Sequence, residues 1–537
     1  MKINYLVGLL GGLTLFLYGM DLTSQGLEMA AGNKLQGWIE KFTSNRFKGL
    51  IIGTIVTAVI QSSSATTVML VGFVNAGIMT IEQTIGIIMG ANIGTTITGQ
   101  IVALDIVAAA PLLCFVGFLL LKFTNKNSVL RHTGQAILGL GMLFLGMKTM
   151  SSSMAPLADN PEFVHLIAKF QNPLLGILVG TAITCILQSS SASLGILQAT
   201  ANMGLIALRP SMFIICGFNI GTCVTSVLSA IGSNKNAQRT AASHVLFNVI
   251  GTALFLILAF IVPVENFITG ISRNVPAAQI ANMHTFFNIF ATAALFPFGN
   301  QIARMSKFII QGDDSDRDEK SLLYLNPNIQ DPNALFAGVR AETERMISLA
   351  RSNFLLSTSL FRQFDQENFD RCFHNESIIN YLNSQISKHI IENISLPMDD
   401  SLASLYTAYL RIVRDLERIG DHTKNIAEHS QYSNLSRLTY TEDALEEFDA
   451  LESIIDDMFE SIEIDPVKSH RVNDLRLAYT GVESNVENYK RIHIDRMKSG
   501  ACDPESGIIF EKCLVAFERI AAYTLSLIHI SEPTRLL

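Results

Sequence analysis

The stretch Gly53-Thr-Ile-Val-Thr-Ala-Val-Ile-Gln-Ser-Ser-Ser-Ala65 occurs twice in this chain with few changes. Residues 180–192 read Gly-Thr-Ala-Ile-Thr-Cys-Ile-Leu-Gln-Ser-Ser-Ser-Ala, at an offset of 127 residues. The sequence Asn-Ile-Gly-Thr at 92–95 recurs at 219–222 with the same offset and no gap. Glycines of the first apolar segment recur at that offset too. Landmarks that stay in register over such a length indicate an internal duplication.

The duplicated part is apolar, and the remainder is highly charged. The 537-residue chain has a mean hydropathy of +0.34. It carries 16 basic and 8 acidic residues up to Gln311, which leaves 23 basic and 39 acidic residues beyond it. A basic apolar part followed by an acidic one predicts a membrane domain joined to a soluble domain. The seven cysteines have no metal-binding spacing and are interpreted as small core residues.

Each copy contains segments that can cross a bilayer and two that are too short. Residues 5–27, 84–104 and 106–121 are the predicted crossings of the first copy. The arms around Gln61 have about 13–15 apolar residues, or about 20 Å of helix, against a hydrocarbon core of about 30 Å. The polar Gln-Ser-Ser-Ser between them predicts a re-entrant hairpin, and the same holds around Gln188.

Three crossings per copy place the second copy upside down, so the fold predicted is one of inverted repeats, common among secondary transporters. Further crossings are predicted at 133–150, 211–231, 240–262 and 281–303. The loops assigned to the inner side then hold 11 Lys and Arg, and the outer side holds 5. Basic residues gather on the cytoplasmic side. The N-terminus is therefore predicted outside a bacterial inner membrane, and the acidic domain inside the cytoplasm.

The predicted organisation is all-α. It consists of two membrane repeats, an extra transmembrane helix, a charged linker, a helical domain and a non-native tail, at residues 1–132, 133–262, 263–310, 311–332, 333–524 and 525–537. The helical domain is predicted from charged residues with apolar positions at 3.6-residue spacing. The tail resembles the translation of a sequencing-adapter oligonucleotide, so no function is assigned to it.

The polar residues of the membrane domain carry the predicted chemistry. A broken helix offers free N–H groups and a positive dipole end, which suit an anion. The carbonyls that end the preceding half-helix suit a hard cation such as sodium. A lone Ser in a membrane helix usually bonds back to the preceding turn, but a duplicated Gln-Ser-Ser-Ser favours a binding site. No Lys or Arg pair lies at this depth, so co-bound cations would balance an anion.

The paired Gln-Ser-Ser-Ser motifs, each followed by Asn-Ile-Gly-Thr, resemble the type II sodium/phosphate cotransporter family. The sequences His-x-x-Phe-Asn at 244–248 and 284–288 resemble it too, although the first copy has none of its own. For both histidines a structural role is favoured over ion coupling. The resemblance covers about residues 1–305 and implies a sodium-coupled phosphate symporter with alternating access. The surroundings of Asp105 depart from the family pattern, so the sodium stoichiometry stays open.

The resemblance, with the amide and hydroxyl groups of the following helices, defines two sets of candidate residues. The predicted phosphate-binding residues are Ser62, Ser63, Ser64, Ser189, Ser190, Ser191, Asn92 and Asn219. The predicted sodium-binding residues are Gln61, Gln188, Ser64, Ser191, Thr95 and Thr222.

The acidic domain resembles PhoU, a helical-bundle regulator of phosphate uptake whose ExxxD motifs bind metal clusters. Residues 414–421 read Arg-Asp-Leu-Glu-Arg-Ile-Gly-Asp. Glu417 and Asp421 are four residues apart and so share one helix face. Two interpretations of this pair remain: a binding site for a divalent metal, and an ordinary solvent-exposed helix face. The domain is predicted to regulate transport.

The chain is predicted to be a transporter and not an enzyme, because it has no P-loop, nucleophile elbow or HExxH motif. Its predicted partners are inorganic phosphate, sodium and the lipid bilayer, without nucleic acid. A homodimer is left open. Two alternatives stay: a transporter of the same fold that exports phosphate or carries another oxyanion, and a phosphate sensor that does not transport.

The charge bias makes a prediction about topology. A single-cysteine reporter near residue 4 should react with an impermeant maleimide applied to intact cells, and one near residue 314 should react only after lysis. The reason is the excess of Lys and Arg in the loops assigned to the inner side. The reverse labelling pattern would show that one crossing has been miscounted.

Overall fold

In the computed structural model the chain is almost wholly helical. The structure describes residues 3–31, 45–104, 106–125, 128–154, 171–272, 275–312, 319–329, 331–396, 398, 400–462 and 471–527. These residues contain no β-strand, which confirms the all-α prediction. They form two compact units, Met1–Asp314 with Asn326–Leu335, and Ser315–Leu325 with Phe336–Leu537. Several residues used in the topology prediction (Lys2, Lys34, Lys41, Lys126, Lys169 and Arg273), Asp105, residues 313–318 and the tail from 528 lie outside the described residues.

The described part of the first unit contains thirteen α-helices. In chain order they are α1 (Ile3–Ala31), α2 (Arg46–Ile60), α3 (Ser63–Asn75), α4 (Ile81–Val102), α5 (Ala110–Phe123), α6 (Val129–Met154), α7 (Pro173–Leu187), α8 (Ser190–Asn202), α9 (Leu208–Ala230), α10 (Lys235–Ile261), α11 (Val264–Ile271), α12 (Pro276–Leu295) and α13 (Gly299–Ile309).

Helices α1 and α6, which open the two repeats, contact each other through glycine. A Cβ atom at Gly139 would lie 2.5 Å from the Gly19 carbonyl oxygen, and one at Gly12 would lie 3.0 Å from the Gly146 oxygen. The two backbones therefore touch. Residue numbers rise along α1 as they fall along α6, so the helices are antiparallel. The offset of 127 exchanges the two glycine pairs, which makes this contact symmetric.

Both Gln-Ser-Ser-Ser motifs interrupt a helix and turn the chain back on itself. Helices α2 and α7 have 15 residues each, and α3 and α8 have 13 each, or about 20 Å. Thr57 Oγ1 in α2 lies 3.0 Å from Thr66 Oγ1 in α3. The equivalent Thr184 of α7 donates to Ser193 of α8 at 2.9 Å. The two arms of each motif are thus joined by a hydroxyl contact close to the break, and the re-entrant hairpin stays a prediction.

The two His-x-x-Phe-Asn helices, α10 and α12, occupy equivalent places. Thr252 of α10 donates to the Cys216 carbonyl of α9, and Thr292 of α12 donates to the Met89 carbonyl of α4, both at 3.5 Å. Met89 and Cys216 are related by the repeat offset. The first repeat has no His-x-x-Phe-Asn sequence of its own, and a helix from outside the repeat takes the equivalent place. Helix α12, which follows the second repeat in sequence, packs on the first.

Six helical segments of the described chain are long and apolar enough to cross a membrane: Val7–Ala31, Ile81–Val102, Ile106–Phe123, Val129–Met154, Leu208–Ala230 and Lys235–Ile261. They match six of the seven predicted crossings. The seventh corresponds to α12, whose 20 residues span about 30 Å. It is not among the six because it carries polar side chains, including the buried His284 and Asn288.

The predicted linker at 311–332 lies partly outside the described residues and stays a prediction. Its residues from Asn326 belong to the first unit, where the Asn326 amide donates to the carbonyls of Ser229 and Ile231 at 2.9 and 3.1 Å. The last residue of α3 and the turn before α10 are joined in a similar way, because Asn75 Oδ1 accepts from the Asn234 N–H at 2.8 Å.

The helices of the charged region are α14 (Pro332–Ser359), α15 (Gln366–Asn393), α16 (Asp400–Leu435), α17 (Glu442–Ser461), α18 (Arg471–Lys498) and α19 (Pro504–Ser526). Their core is aromatic, with Phe354, Phe510 and Phe517 almost completely buried. On the outside, Arg351 of α14 pairs with Asp456 and Glu460 of α17 at 2.5 and 2.6 Å. The predicted helical domain is thus a bundle with charged outer faces.

The α1–α6 contact predicts the effect of a single methyl group. Gly139→Ala should lower stability by about 1–3 kcal/mol, because the new Cβ would meet backbone atoms that cannot move separately. Gly11→Ala is the matched control, since no atom lies within 4 Å of a Cβ there. Thermal unfolding of both variants in detergent checks this. Equal melting temperatures would contradict the close contact.

Candidate functional site

The two helix breaks have the same backbone conformation. Gln61 and Gln188 lie in the left-handed region with φ of 62° and 53°, where residues other than glycine are uncommon. Each donates its backbone N–H to a threonine carbonyl at 2.7 Å and so ends its helix. The next residue, Ser62 or Ser189, begins the following helix as its N-cap and accepts from the N–H of Ala65 or Ala192. Strained conformations of this kind cost about 1–3 kcal/mol and tend to occur at functional sites.

At each break, backbone N–H and carbonyl groups lack a partner within their own helix. The first N–H groups of α3 and α8 have no partner within their own helices, and neither do the last carbonyls of α2 and α7. Ser63 and Ser190, the first residues of α3 and α8, are buried at 4% and 5% exposure. Each break therefore places N–H donors, hydroxyls and carbonyl oxygens within one short segment.

The structure brings the two breaks together. Ser64 donates from Oγ to the Gln188 carbonyl oxygen at 3.2 Å. Thr98 of α4 donates to Gln61 Oε1 at 2.7 Å, and Ser191 donates to Thr98 Oγ1 at 3.3 Å. These hydrogen bonds join the two breaks and involve both predicted glutamines and the third serine of each motif.

Asn92 and Asn219 lie beside this centre and are bound to the His-x-x-Phe-Asn helices. Asn92 donates to Asn248 Oδ1 of α10, and Asn219 donates to Asn288 Oδ1 of α12, both at 2.6 Å. All four amides are buried. The asparagines therefore hold α4 and α9 against α10 and α12 in this arrangement.

Thr95 and Thr222, the predicted sodium ligands, are buried but bond within their own helices. Their hydroxyls donate to the carbonyls of Ala91 and Phe218, each at 2.9 Å. Their oxygen lone pairs stay available to a cation, because a hydroxyl that donates can still accept.

The sequence interpretation missed Thr98, which links the two breaks through its hydroxyl in addition to the bond from Ser64. A signal was present, because Thr98 and Thr225 both follow the Asn-Ile-Gly-Thr sequences at the repeat offset. The histidines bond to side chains: His244 Nδ1 lies 3.0 Å from Ser226 Oγ, and His284 Nε2 lies 3.4 Å from Asn219 Oδ1.

The centre is polar, and its described buried side chains include no carboxylate, amine or guanidinium group. Up to residue 312, every polar side chain that is buried in the described chain is a hydroxyl, an amide or an imidazole. An anion could receive hydrogen bonds there from hydroxyl and N–H groups. Its charge would have to be offset by cations that enter with it, since a lone buried charge is very costly.

The candidate metal residues of the charged domain lie on one face of α16. Burial, and then the neighbouring Asp421 carboxylate, raise the pKa of Glu417. The described residues include no group of three or more His, Cys, Asp or Glu side chains that could hold a metal ion. Two carboxylates are fewer than Mg²⁺ or Ca²⁺ usually takes from protein and water together. The divalent metal at Glu417 and Asp421 stays a prediction without structural support.

Comparison with known families separates the apolar part of the chain from the charged part in the same way. The Na+/Pi-cotransporter family matches residues 15–152 and again 146–272, and the PhoU domain family matches residues 343–430. With its membrane-spanning helices, the chain is a multi-pass membrane transporter that carries a PhoU domain, and it is not an enzyme.

Individual relatives extend the match. "Uncharacterized protein YqeW" of Bacillus subtilis (strain 168) is 33% identical over 296 residues, which cover 55% of this chain and 95% of that protein. The chain belongs to the Na+/Pi-cotransporter family. "Putative inorganic phosphate export protein YjbB" of Escherichia coli (strain K12) is 24% identical over 83% of this chain and 82% of its own length. "Sodium-dependent phosphate transport protein 2A" of Rattus norvegicus is 42% identical over 18% of this chain and 15% of its own length. No solved structure is significantly similar to the chain.

The hydrogen bond between Thr98 and Gln61 predicts a functional defect. Thr98→Val would leave Gln61 Oε1 buried without its donor, at a cost of about 1–3 kcal/mol, so the initial rate of phosphate uptake should fall about tenfold. Thr96→Val is the matched control, because Thr96 is also buried and donates only to the Ile93 carbonyl of its own helix. Uptake into liposomes checks both variants, and equal rates would show that the link is dispensable.

Proposed function

We propose that this protein is a sodium-coupled symporter of inorganic phosphate whose binding site lies where the two Gln-Ser-Ser-Ser breaks meet. The observation that carries the proposal is the hydrogen-bonded centre formed by both breaks and Thr98. It combines donors for an anion with oxygen ligands for a cation in a centre whose described buried side chains include no carboxylate, lysine or arginine. Sodium coupling follows as the means to balance the phosphate charge.

The proposed phosphate ligands are the serines at 62–64 and 189–191 with Asn92 and Asn219. Hydroxyl and amide N–H groups donate to phosphate oxygens, and the helix N-termini favour negative charge. Asn92 and Asn219 donate to other asparagines in this arrangement, so phosphate would have to replace those bonds or use the second N–H of each amide.

The proposed sodium ligands are oxygen atoms of Gln61, Gln188, Ser64, Ser191, Thr95 and Thr222. Sodium is a hard cation, and carbonyl and hydroxyl oxygens are its usual ligands in proteins. The pairing of these residues by the repeat offset supports two related cation positions, one at each break.

The proposed topology is two inverted repeats with re-entrant hairpins in a bacterial inner membrane. The antiparallel contact of α1 and α6 supports the inversion, because these helices open the two repeats. The short arms α2, α3, α7 and α8 support re-entrant hairpins. With the N-terminus outside, the PhoU domain would lie in the cytoplasm and regulate transport, as its charge and its separate core suggest.

Phosphate export is the second candidate, because the Escherichia coli relative is named an export protein. The same site could serve either direction, since the sodium and phosphate gradients set the direction of net flux. Another oxyanion is tested by competition in the same assay.

Uptake of radiolabelled phosphate into liposomes containing the full chain tests the proposal. We expect an inward sodium gradient to accelerate uptake, and its replacement by potassium to abolish the acceleration. Ser63→Ala with Ser190→Ala should remove transport without loss of membrane insertion. Ser211→Ala is the control, because this buried hydroxyl donates only to the Ala207 carbonyl of its own turn. Sodium-independent uptake, or wild-type rates in the double variant, would refute the assignment.

A further inference from the structure

The two repeats agree in most of their contacts but differ at the helix breaks. The Asn92–Asn248 and Asn219–Asn288 bonds have the same length, 2.6 Å. The Thr57–Thr66 and Thr184–Ser193 contacts across the hairpins also correspond. A difference at the breaks is therefore local and does not reflect different packing of the repeats as a whole.

The first difference concerns a serine of the opening helix. Ser24 of α1 donates from Oγ to the carbonyl oxygen of Ile60, the last residue of α2, at 2.6 Å. The repeat offset relates Ser24 to Ser151 of α6, and Ile60 to Leu187, the last residue of α7. In the described part of the chain no hydrogen bond joins Ser151 to Leu187. The same groups are present in both repeats, but only the first repeat uses them.

The second difference concerns the glutamines at the breaks. Thr98 donates to Gln61 Oε1, whereas the equivalent Thr225 donates to the Thr222 carbonyl of its own helix at 3.0 Å. The Gln61 residue is buried at 8% exposure, and Gln188 is exposed. The first break is therefore held by two bonds that the second break lacks.

We propose that Ser24 and Ser151 are positioning residues that hold the two helix breaks in alternation, an inference that rests on the transport function proposed above. In the arrangement described, Ser24 holds the end of α2. In the alternate arrangement Ser151 donates to the Leu187 carbonyl and Thr225 donates to Gln188, while the bonds of Ser24 and Thr98 are released. Because equivalent groups exchange equivalent bonds, the two arrangements have similar free energies, as a transporter with two interconverting states requires.

The bonded carbonyls have a chemical role in this exchange. Ile60 and Leu187 end their half-helices, where carbonyl oxygens have no helical N–H partner and suit a hard cation. A serine hydroxyl that donates to such a carbonyl uses one of its two lone pairs. A sodium ion at the same oxygen has only the other lone pair, so release of the serine favours ion binding and couples it to the position of the hairpin.

Disulfide trapping in the full chain tests the exchange. Ser24→Cys with Ile60→Cys should form a disulfide readily under mild oxidation in liposomes, because the parent residues are in contact. Ser151→Cys with Leu187→Cys should also form one, but only as the protein reaches the alternate arrangement. Mass spectrometry of peptides identifies each pair and separates it from pairing with the native Cys185, and each single cysteine variant is a control.

A second measurement separates alternation from a purely structural role. In the Ser151→Cys, Leu187→Cys protein, Ser24→Ala should raise the rate of trapping about fivefold, as expected for loss of one hydrogen bond from the competing state. Ser24→Thr, which keeps a hydroxyl, should restore the slower rate. Ser152→Ala is the matched control, because that exposed hydroxyl donates only to the Thr149 carbonyl.

The outcomes separate this inference from the proposed function. If phosphate uptake is sodium-dependent but Ser151→Cys and Leu187→Cys never pair, the alternation is wrong and the transport assignment stands. If the pair forms and Ser24→Ala accelerates it without any phosphate transport, the alternation stands and the substrate is wrong. Slower trapping with Ser24→Ala would show that Ser24 only stabilises the fold, and it would overturn the inference.

Discussion

The backbone groups released at Gln61 and Gln188 are the constraint on which the rest of the membrane unit depends. Peptide N–H and C=O groups in an apolar surrounding need partners, and a broken helix leaves several without one. The serine caps and the Ser24 hydroxyl supply some of these partners. The first break does the same for the second, because Ser64 donates to the Gln188 carbonyl. The polar centre is thus a consequence of the breaks and is also what makes them tolerable.

This arrangement explains how an anion could be bound without basic residues. A buried Lys or Arg would bind phosphate strongly but would itself be costly whenever phosphate is absent. Neutral hydroxyls and amides carry no such cost, since they can bond to one another, as Asn92 and Asn248 do here. In the proposed transport cycle the charge balance comes from ions that arrive and leave with the substrate, so the protein itself need not hold a buried charge.

The sequence was sufficient to predict most of this architecture, because an internal duplication shows which residues are equivalent. The 127-residue offset, the short arms around each Gln-Ser-Ser-Ser and six of seven crossings could be read directly. The place of α12 could not, because it follows the second repeat in sequence but packs on the first through Thr292. Thr98 was missed since threonine is common in membrane helices and only its contact with Gln61 distinguishes it. The difference in hydrogen bonding between the two breaks could not be predicted either, because both repeats carry the same polar residues there.

The glycine contact between α1 and α6 has a consequence for how mutations can alter the sequence of such a chain. An interface between two copies of one surface is isologous, so every contact occurs twice, as Gly19 with Gly139 and Gly12 with Gly146 do here. In an assembly of two identical chains, one mutation would alter both halves of that interface together. In the fused chain it alters only one, as the equivalent positions Asp21 and Lys148 illustrate with opposite charges. Joining the copies in one chain therefore lets the sequences of the two halves diverge independently. A protein that lies between two solutions of different composition can then adapt each half separately.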